Sequence, residues 1–339
     1  MKTRSNSVTF AGIATALLFT CLSADAQTFP AQGTDTTTSL GQFTIVVNPA
    51  YIPAASAIAG AGLGFTYDAG KNLLTSPLLF DPTTTIDRSS ATTVGSTAYN
   101  TGLAVGTPAN GTVKAGDITM LPSGYVPAAG ARTVFTQINS FTLANGGTSV
   151  TAGSAAANQP RSVGEVVSNA TGAGLGNPAN DFPARSFFDV FVDVNVPGVG
   201  TPLVNTTPLL INNNAITGFP PTVIYTHGNS SAVPLEFTAG NTVGAPTGDV
   251  FGVITLAGHG AGYTPGTSGT GTDATAFENT YNSELNNPTD LMPLPQADAS
   301  WSTYVPVAMP EPSAAVFGIF CIGAAVMRRT RRTQSARIA

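Results

Sequence analysis

The two histidines, His227 and His259, are the side chains best suited to catalysis or metal binding in this 339-residue chain. A catalytic zinc ion takes three protein ligands, so the pair would need a carboxylate such as Glu236 or Asp249. No His-x-x-x-His or comparable spacing supports that set. Both histidines stand beside glycine at the end of a strand-like run. We therefore expect them to be turn or surface residues.

The segments around the histidines carry a second pattern. Residues 223–228 run from a strand-like stretch into His-Gly, and residues 258–262 read Gly-His-Gly-Ala-Gly. Together they resemble the oxyanion loop and nucleophile elbow of α/β hydrolases. That elbow needs a serine at the centre of Gly-x-Ser-x-Gly, where this chain has Gly260. Glycine has no hydroxyl to attack a carbonyl, so ordinary strand-ending turns are expected.

The most regular strand pattern lies in residues 187–196. Its even positions form an uninterrupted apolar face, while Asp189, Asp193 and Asn195 lie on the other face. These oxygens could serve calcium, but successive same-face residues are about 7 Å apart and lack a compact binding loop. A solvated strand face is the prediction. Asp189 and Asp193 are weak metal candidates, and no cofactor is expected.

The rest of the chain predicts strands and turns. Thr, Val, Gly, Pro and Asn dominate, and no amphipathic helix is evident outside the termini. Strands are predicted at residues 43–47, 63–67, 118–121, 134–143, 163–167, 186–196, 208–211, 222–226, 233–237 and 250–256. Short strands with turns between them indicate an all-β fold, a sandwich or jelly-roll-like body with long Gly/Ala/Ser/Thr-rich loops.

Composition divides the chain into segments. The predicted body spans residues 27–286, and a glycine- and alanine-rich stretch at 145–181 could divide it in two. Residues 287–308 are proline-rich and are predicted to form a semi-rigid stalk. The body contains no cysteine, because Cys21 and Cys321 lie in the apolar ends, so burial and hydrogen bonds must stabilise it.

The charge distribution restricts the class of partner. Residues 27–309 carry six basic and sixteen acidic side chains, and residues 186–309 contain no lysine or arginine. Nucleic acids and anionic lipids require cationic contacts. Neither is therefore an expected partner of the body, whereas divalent cations are permitted.

The N-terminus has the three parts of a secretory signal. Lys2 and Arg4 are followed by a mostly apolar stretch at residues 8–22, and Ala24 and Ala26 form a small-x-small site before Gln27. Residues 1–26 are therefore predicted to form a signal helix that the translocon and signal peptidase recognise. A lipoprotein site at Cys21 is the weaker alternative, because a bulky residue precedes it.

The C-terminus combines three elements in order. Pro310, Glu311 and Pro312 precede an apolar run at residues 313–327, and an arginine cluster follows at Arg328, Arg329, Arg331 and Arg332. The fourteen residues from 314 would reach only about 21 Å as a helix, against roughly 30 Å of hydrocarbon. The prolines prevent upstream extension, and the arginines can reach lipid phosphates on the cytoplasmic side. A short membrane-anchor helix is predicted.

This tail, residues 309–332, resembles the PEP-CTERM sorting tail of exported bacterial proteins. The resemblance implies that Pro310, Glu311 and Pro312 are recognised by an exosortase, a membrane-embedded processing enzyme that often accompanies exopolysaccharide production. The catalytic machinery would belong to that partner. The protein is then expected at the cell surface or outside the cell, with a transient or permanent membrane anchor.

Two functions remain open from the sequence. The first is a structural or adhesive protein of the cell surface or matrix, linked to exopolysaccharide and biofilm, without catalysis of its own. The second is a secreted carbohydrate-binding or carbohydrate-active, hydrolytic protein with the same tail, because the tail is indifferent to its cargo.

Overall fold

The computed structural model describes residues 27–94, 127–153, 159–227, 233–265 and 274–285, with residues 104–105, 113–114, 118, 120–122, 125 and 156. The described chain is mostly antiparallel β-strand with few helices, as predicted. The strands are β1 Gly33–Val47, β2 Thr66–Asp68, β3 Leu73–Thr75, β4 Leu79–Arg88, β5 Thr92–Thr93, β6 Ala104–Val105, β7 Val113–Lys114, β8 Arg132–Asn145, β9 Thr148–Gly153, β10 Val163–Ser168, β11 Ala184–Val190, β12 Asp193–Asn195, β13 Leu203–Val204, β14 Leu209–Ile216, β15 Val223–His227, β16 Val233–Phe237 and β17 Val250–Ala261. The α-helices of the described residues are α1 Ile52–Gly60 and α2 Ala274–Leu285, and short 3-10 helices lie at Pro49–Tyr51, Gly172–Gly174 and Pro178–Asn180.

The main sheet closes on itself. Four long strands, β8, β4, β1 and β17, lie side by side in that order. Four further positions complete the ring from β17 back to β8, and two shorter strands share each of them. In order around the ring, these positions are β15 with β16, β14 with β13, β11 with β12, and β10 with β9. Eight antiparallel positions thus surround one interior, in a continuous sheet rather than two separate ones.

The interior is filled with apolar side chains. Strand residues alternate between the two faces, and the inward positions of nearly every strand join one buried cluster. Its large members include Phe43, Phe141, Phe188, Tyr225 and Phe251. An eight-stranded ring is narrow enough for side chains to fill it. Burial of this cluster is therefore the main source of stability of the body.

Aromatic residues close both ends of the ring. At one end, Tyr51 precedes α1 and packs its ring 4.8 Å from Phe237, and its hydroxyl donates to Asp249 at 2.9 Å. Ala55 and Ile58 of α1 join the interior cluster. At the other end, Phe29 packs with two more phenylalanines beside the start of β11 and β15.

Two further clusters lie on the outside of the ring. Ile118, Met120, Leu121 and Tyr125 cover the outward residues of β8, β10, β11 and β14. Helix α2 covers the outward face of β1 and β17 through Phe277 and Tyr281, which are four residues apart and so lie on one side of the helix. Neither helix in the described residues is long and apolar enough to cross a bilayer.

The predicted strands agree with the structure in most places. Residues 233–237 are predicted and observed as β16, and the predicted strand at 186–196 is interrupted at 191–192. Residues 118–121 were predicted as a strand, but the described ones form none. The absence of body helices was also wrong, because α1 and α2 are present. The stretch at 145–181 contains β9 and β10, which pair with strands on both sides of it.

Candidate functional site

Most of the predicted sorting and cleavage residues lie outside the described part of the chain. These are Ala24, Ala26, Pro310, Glu311, Pro312, Arg328, Arg329, Arg331 and Arg332, together with the stalk at 287–308 and the helices predicted at both ends. Gln27, the first residue after the predicted cleavage site, is the first described residue and is exposed.

The segment that follows Gln27 is fixed to the body. The backbone N–H of Phe29 donates to Asp181 at 2.6 Å, and Arg132 donates to the other oxygen of the same carboxylate at 2.7 Å. The Phe29 ring lies 5.2 Å from that of Phe182 and 6.2 Å from that of Phe219. Asp181 is fully buried, so these donors replace water around its charge. Phe29, the third residue after the predicted cleavage site, is therefore part of the folded body.

The two weak metal candidates are separated by their partners. Asp189 is fully buried, and its carboxylate accepts the backbone N–H of Met120 at 2.8 Å. Asp193 is partly buried and accepts from Gln159 at 3.1 Å. The prediction of a solvated face was wrong for Asp189, because the segment around Ile118 packs over it. Among the described residues, no three His, Cys, Asp or Glu side chains gather as metal ligands would.

Both histidines point into the ring, contrary to the prediction of surface turns. His259 pairs with Tyr225 across β17 and β15, and His227 pairs with Ile211 across β15 and β14. Tyr225 and Ile211 belong to the interior cluster, and directly paired residues share a face. By this register His227 stands opposite Ala257, diagonal to His259. The two imidazoles are thus neighbours on the inner wall.

The surroundings of the histidines are apolar. The His259 ring lies 5.3 Å from the Phe141 ring and 6.1 Å from the Tyr225 ring. Each histidine is only partly buried, yet both nitrogens of His227 and Nε2 of His259 are shielded from solvent and have no hydrogen-bond partner among the described residues. Burial lowers the pKa of His227 to about 3 and that of His259 to about 4, although the charge of Asp81 acts to raise the latter pKa. Both imidazoles are neutral at neutral pH.

The zinc set considered from the sequence does not assemble around His259. Glu236 is paired with Val250 at the start of β17, nine residues before His259, which is about 30 Å along a strand. Asp249 precedes that strand and accepts a hydrogen bond from Tyr51. The two carboxylates therefore lie near the other end of the ring from His259.

The hydrolase-like pattern also has a structural explanation. Residues 258–261 continue β17, so no elbow forms there. Gly258 and Gly260 face outward beneath α2, and a Cβ at Gly258 would lie 2.8 Å from the Tyr281 ring. A Cβ at Gly260 would lie 3.0 Å from the Phe277 ring. The glycines allow α2 to approach the sheet, while the intervening His259 faces inward.

A groove lies beside α2 on the outer surface and has a volume of about 520 Å³. Strands β14 and β15 provide its floor, and α2 provides one wall. Most of its lining is polar and uncharged. The lining residues are Asn212, Asn213, Asn214, Thr222, Val223, Ile224, Thr226, Tyr263, Thr280 and Glu284.

This groove was not predicted from the sequence. The run Asn212-Asn213-Asn214 was visible, but asparagine runs are typical of turns, and strand prediction ended at residue 211. In the structure, β14 continues through the run to Ile216, and Asn212 lies directly opposite Thr226 of β15. Only the pairing of β14, β15 and α2 brings these side chains together.

Comparisons with known proteins leave the family open. No protein-family model matches the chain, and no curated protein matches it. Among solved structures, the chain is similar to DynF from the dynemicin biosynthesis pathway of Micromonospora chersina, at 14% identity and a TM-score of 0.40. The match covers 69% of this chain and 82% of DynF. A likeness this distant says nothing about activity.

Proposed function

We propose that this protein is exported and sorted to the cell surface or extracellular matrix through its C-terminal tail, and that its all-β body has a structural or adhesive role without catalysis. The observation that carries the proposal is the order of elements at residues 309–332. The Pro310-Glu311-Pro312 element, the apolar run at 313–327 and the arginine cluster at 328–332 resemble a PEP-CTERM tail. Exosortase would be the processing partner, and the C-terminal helix the membrane anchor.

The N-terminal part of the body supports export. Signal peptidase cleavage after Ala26 would leave Gln27 as the new N-terminus. Phe29 is already buried against the body, so cleavage there would leave the described contacts of the N-terminal segment with the core in place. Beyond the all-β fold, the sequence predicted a sandwich or jelly-roll-like body with a helix at each end of the chain. The signal helix and the anchor helix remain part of this proposal.

The groove favours binding over hydrolysis. Hydrolysis of glycosidic bonds uses two carboxyl groups roughly 5–10 Å apart across the scissile bond. Among the residues that line the groove, Glu284 has the one carboxyl group. A secreted hydrolase is therefore the weaker alternative, whereas association with the exopolysaccharide of a biofilm fits a body with a polar groove.

The proposal can be tested by following processing and location. The wild type and two variants would be expressed in a host that has a matching exosortase. In the first variant Pro310, Glu311 and Pro312 are changed to alanine, and in the second variant residues 328–332 are deleted. We expect the first variant to remain as an unprocessed membrane precursor, because the helix can extend upstream. The deletion should scatter the protein between fractions, because the arginine stop is lost.

A matched control replaces two stalk prolines, Pro293 and Pro295, with alanine. This variant removes the same type of residue outside the sorting element and should be processed like the wild type. Immunoblots of membrane, surface and medium fractions give mass and location, and mass spectrometry gives both termini. Identical processing of the wild type and both tail variants would refute the sorting proposal.

A further inference from the structure

We infer that the groove between β14, β15 and α2 binds a neutral polysaccharide chain. The inference deepens the proposed function, since it names a site where the body would meet the polysaccharide. It depends on the proposed setting of the protein but not on the sorting tail itself.

The first support is the set of polar side chains that have no partner in the described part of the chain. The side chains of Asn212, Asn214, Thr222 and Thr226 line the groove and make no hydrogen bond to other described residues. An amide offers both donors and an acceptor, and a hydroxyl offers both as well. Sugar hydroxyls have the same dual character. This lining can therefore pair with several hydroxyls of one ring without leaving a buried group unsatisfied.

The second support is the position of these groups on two paired strands. Asn212 and Thr226 are directly opposite, so their Cβ atoms are about 5 Å apart. Their outward faces are set by the closed sheet, and α2 is held beside them by the buried rings of Phe277 and Tyr281. The site is built on strands and a docked helix, so little conformational entropy is lost on binding.

The third support is charge. The residues that line the groove include one carboxylate, that of Glu284, and no lysine or arginine. An anionic polymer would meet this carboxylate without a cation in the lining to pair with its own charges. An apolar ligand would bury the unpaired amides and hydroxyls at a cost. A neutral ligand with many hydroxyls avoids both penalties.

The pairing of the strands argues against a peptide. An extended peptide gains affinity by adding a strand to an open sheet edge. In this groove β14 is paired with β11 and β15, and β15 is paired with β14 and β17. The β14–β15 pairing covers Ile211 and Asn212, and beyond it the side-chain amide of Asn213 donates to the Ile224 carbonyl at 2.8 Å, so neither strand is a free sheet edge there. The volume of about 520 Å³ lies within the range of small-molecule sites and suits a few sugar rings.

The test is affinity electrophoresis of the full chain, purified in mild detergent, through native gels that contain a soluble polysaccharide. The neutral probes are dextran, mannan and galactomannan, and the anionic probe is alginate. The groove variant is Asn212→Ala with Thr226→Ala, and Asn214→Ala is a milder single change at an exposed position. The matched control is Thr36→Ala with Thr85→Ala, a directly opposed pair on β1 and β4 whose members do not line the groove.

We expect at least one neutral polysaccharide to slow the wild type and the control pair equally. The groove pair should raise the dissociation constant by about tenfold or more, which corresponds to the loss of one or two good hydrogen bonds. Asn214→Ala should raise it by a smaller factor. Far-ultraviolet circular dichroism verifies that each variant is folded.

Three results would overturn the inference. They are equal retardation of the groove pair and the wild type, retardation by alginate alone, and no retardation by any neutral probe. A peptide-array signal that the groove pair abolishes, without polysaccharide retardation, would likewise replace the polysaccharide with a peptide. None of these results bears on sorting, because the binding assay needs no exosortase, so the two proposals fail separately.

Discussion

Replacing both interior histidines with leucine should remove a large part of the acid sensitivity of the folded protein. Burial lowers the pKa of His227 to about 3 and that of His259 to about 4, from an ordinary value of 6.5. Between those values and 6.5 the unfolded chain binds protons that the folded chain does not. The stabilising effect of keeping the imidazoles neutral is therefore complete above pH 6.5 and is lost as the pH falls.

The size of this loss can be worked out at about pH 5. This pH is about 1.5 units below the pKa of an unfolded imidazole, so the unfolded histidines are protonated while the folded ones are still neutral. At roughly 1.4 kcal/mol per unit, the free energy of unfolding falls by about 2 kcal/mol for each histidine and about 4 kcal/mol for the pair. The result is insensitive to the folded pKa values, since both lie at least one unit below 5.

The measurement is urea unfolding of the full chain at about pH 7.5 and about pH 5. The chain contains two histidines in all, so the double leucine variant has no imidazole left to titrate. Leucine will also change packing, but that change is the same at both pH values and cancels in the difference. The carboxylates titrate in both proteins. The extra loss in the wild type is therefore the histidine contribution.

The reasoning is refuted if the wild type loses no more stability than the double variant between these pH values. It is also refuted if the wild type becomes relatively more stable at about pH 5. Either result would mean that the imidazoles are solvated or paired with a carboxylate in the folded state. Their position on the inner wall beside Phe141 would then be wrong.

Three further predictions concern packing and the buried carboxylate. Gly258→Ala should lower the melting temperature, because its Cβ would meet the Tyr281 ring at 2.8 Å. Gly60→Ala is the control and should not lower it, because no atom lies within 4 Å of the added Cβ. Thermal unfolding of the two variants measures the difference. Asp181→Asn should lower the free energy of unfolding by about 3–5 kcal/mol and release the N-terminal segment from the body. Hydrogen exchange of residues 27–32 would report the release, and unchanged protection would contradict the prediction. Val192→Asp should cost several kcal/mol in urea unfolding, while Asp193→Asn should be nearly silent, and similar costs would contradict the assigned faces.

The strands that could be predicted were those with a strong alternating or apolar pattern. β16 and the middle of β8 are examples, since their valine and phenylalanine content indicates strand without reference to neighbours. β4 was not predicted, because Pro82 and the threonines that follow it interrupt any alternating apolar pattern, although the strand pairs with β1 and β8. Helix α2 was missed because two buried rings among polar residues give a weak periodic signal.

Facts that depend on distant segments could not be predicted from a local pattern. Asp189 lies in a strand whose outer face looked solvated, yet Met120, about seventy residues earlier in the chain, donates to it. Closure of the ring also depends on distant segments, because the paired strands β1 and β17 are about two hundred residues apart in sequence. Alternation gives the face of a strand, but the element that covers that face is determined by the whole fold.

The Gly258-His259-Gly260 motif shows how one short sequence can serve both faces of a strand. Together with residues 223–228 it resembles the loop and elbow of a hydrolase, but an ordinary strand-ending turn was the prediction because Gly260 occupies the position of the serine. In β17 the glycines face outward and admit the rings of Tyr281 and Phe277, and the histidine faces the apolar interior. The close approach of α2 that the glycines permit also places Thr280 and Glu284 beside β15, where they form the wall of the groove. Glycine at these positions therefore determines both the docking of the helix and the width of the proposed polysaccharide site.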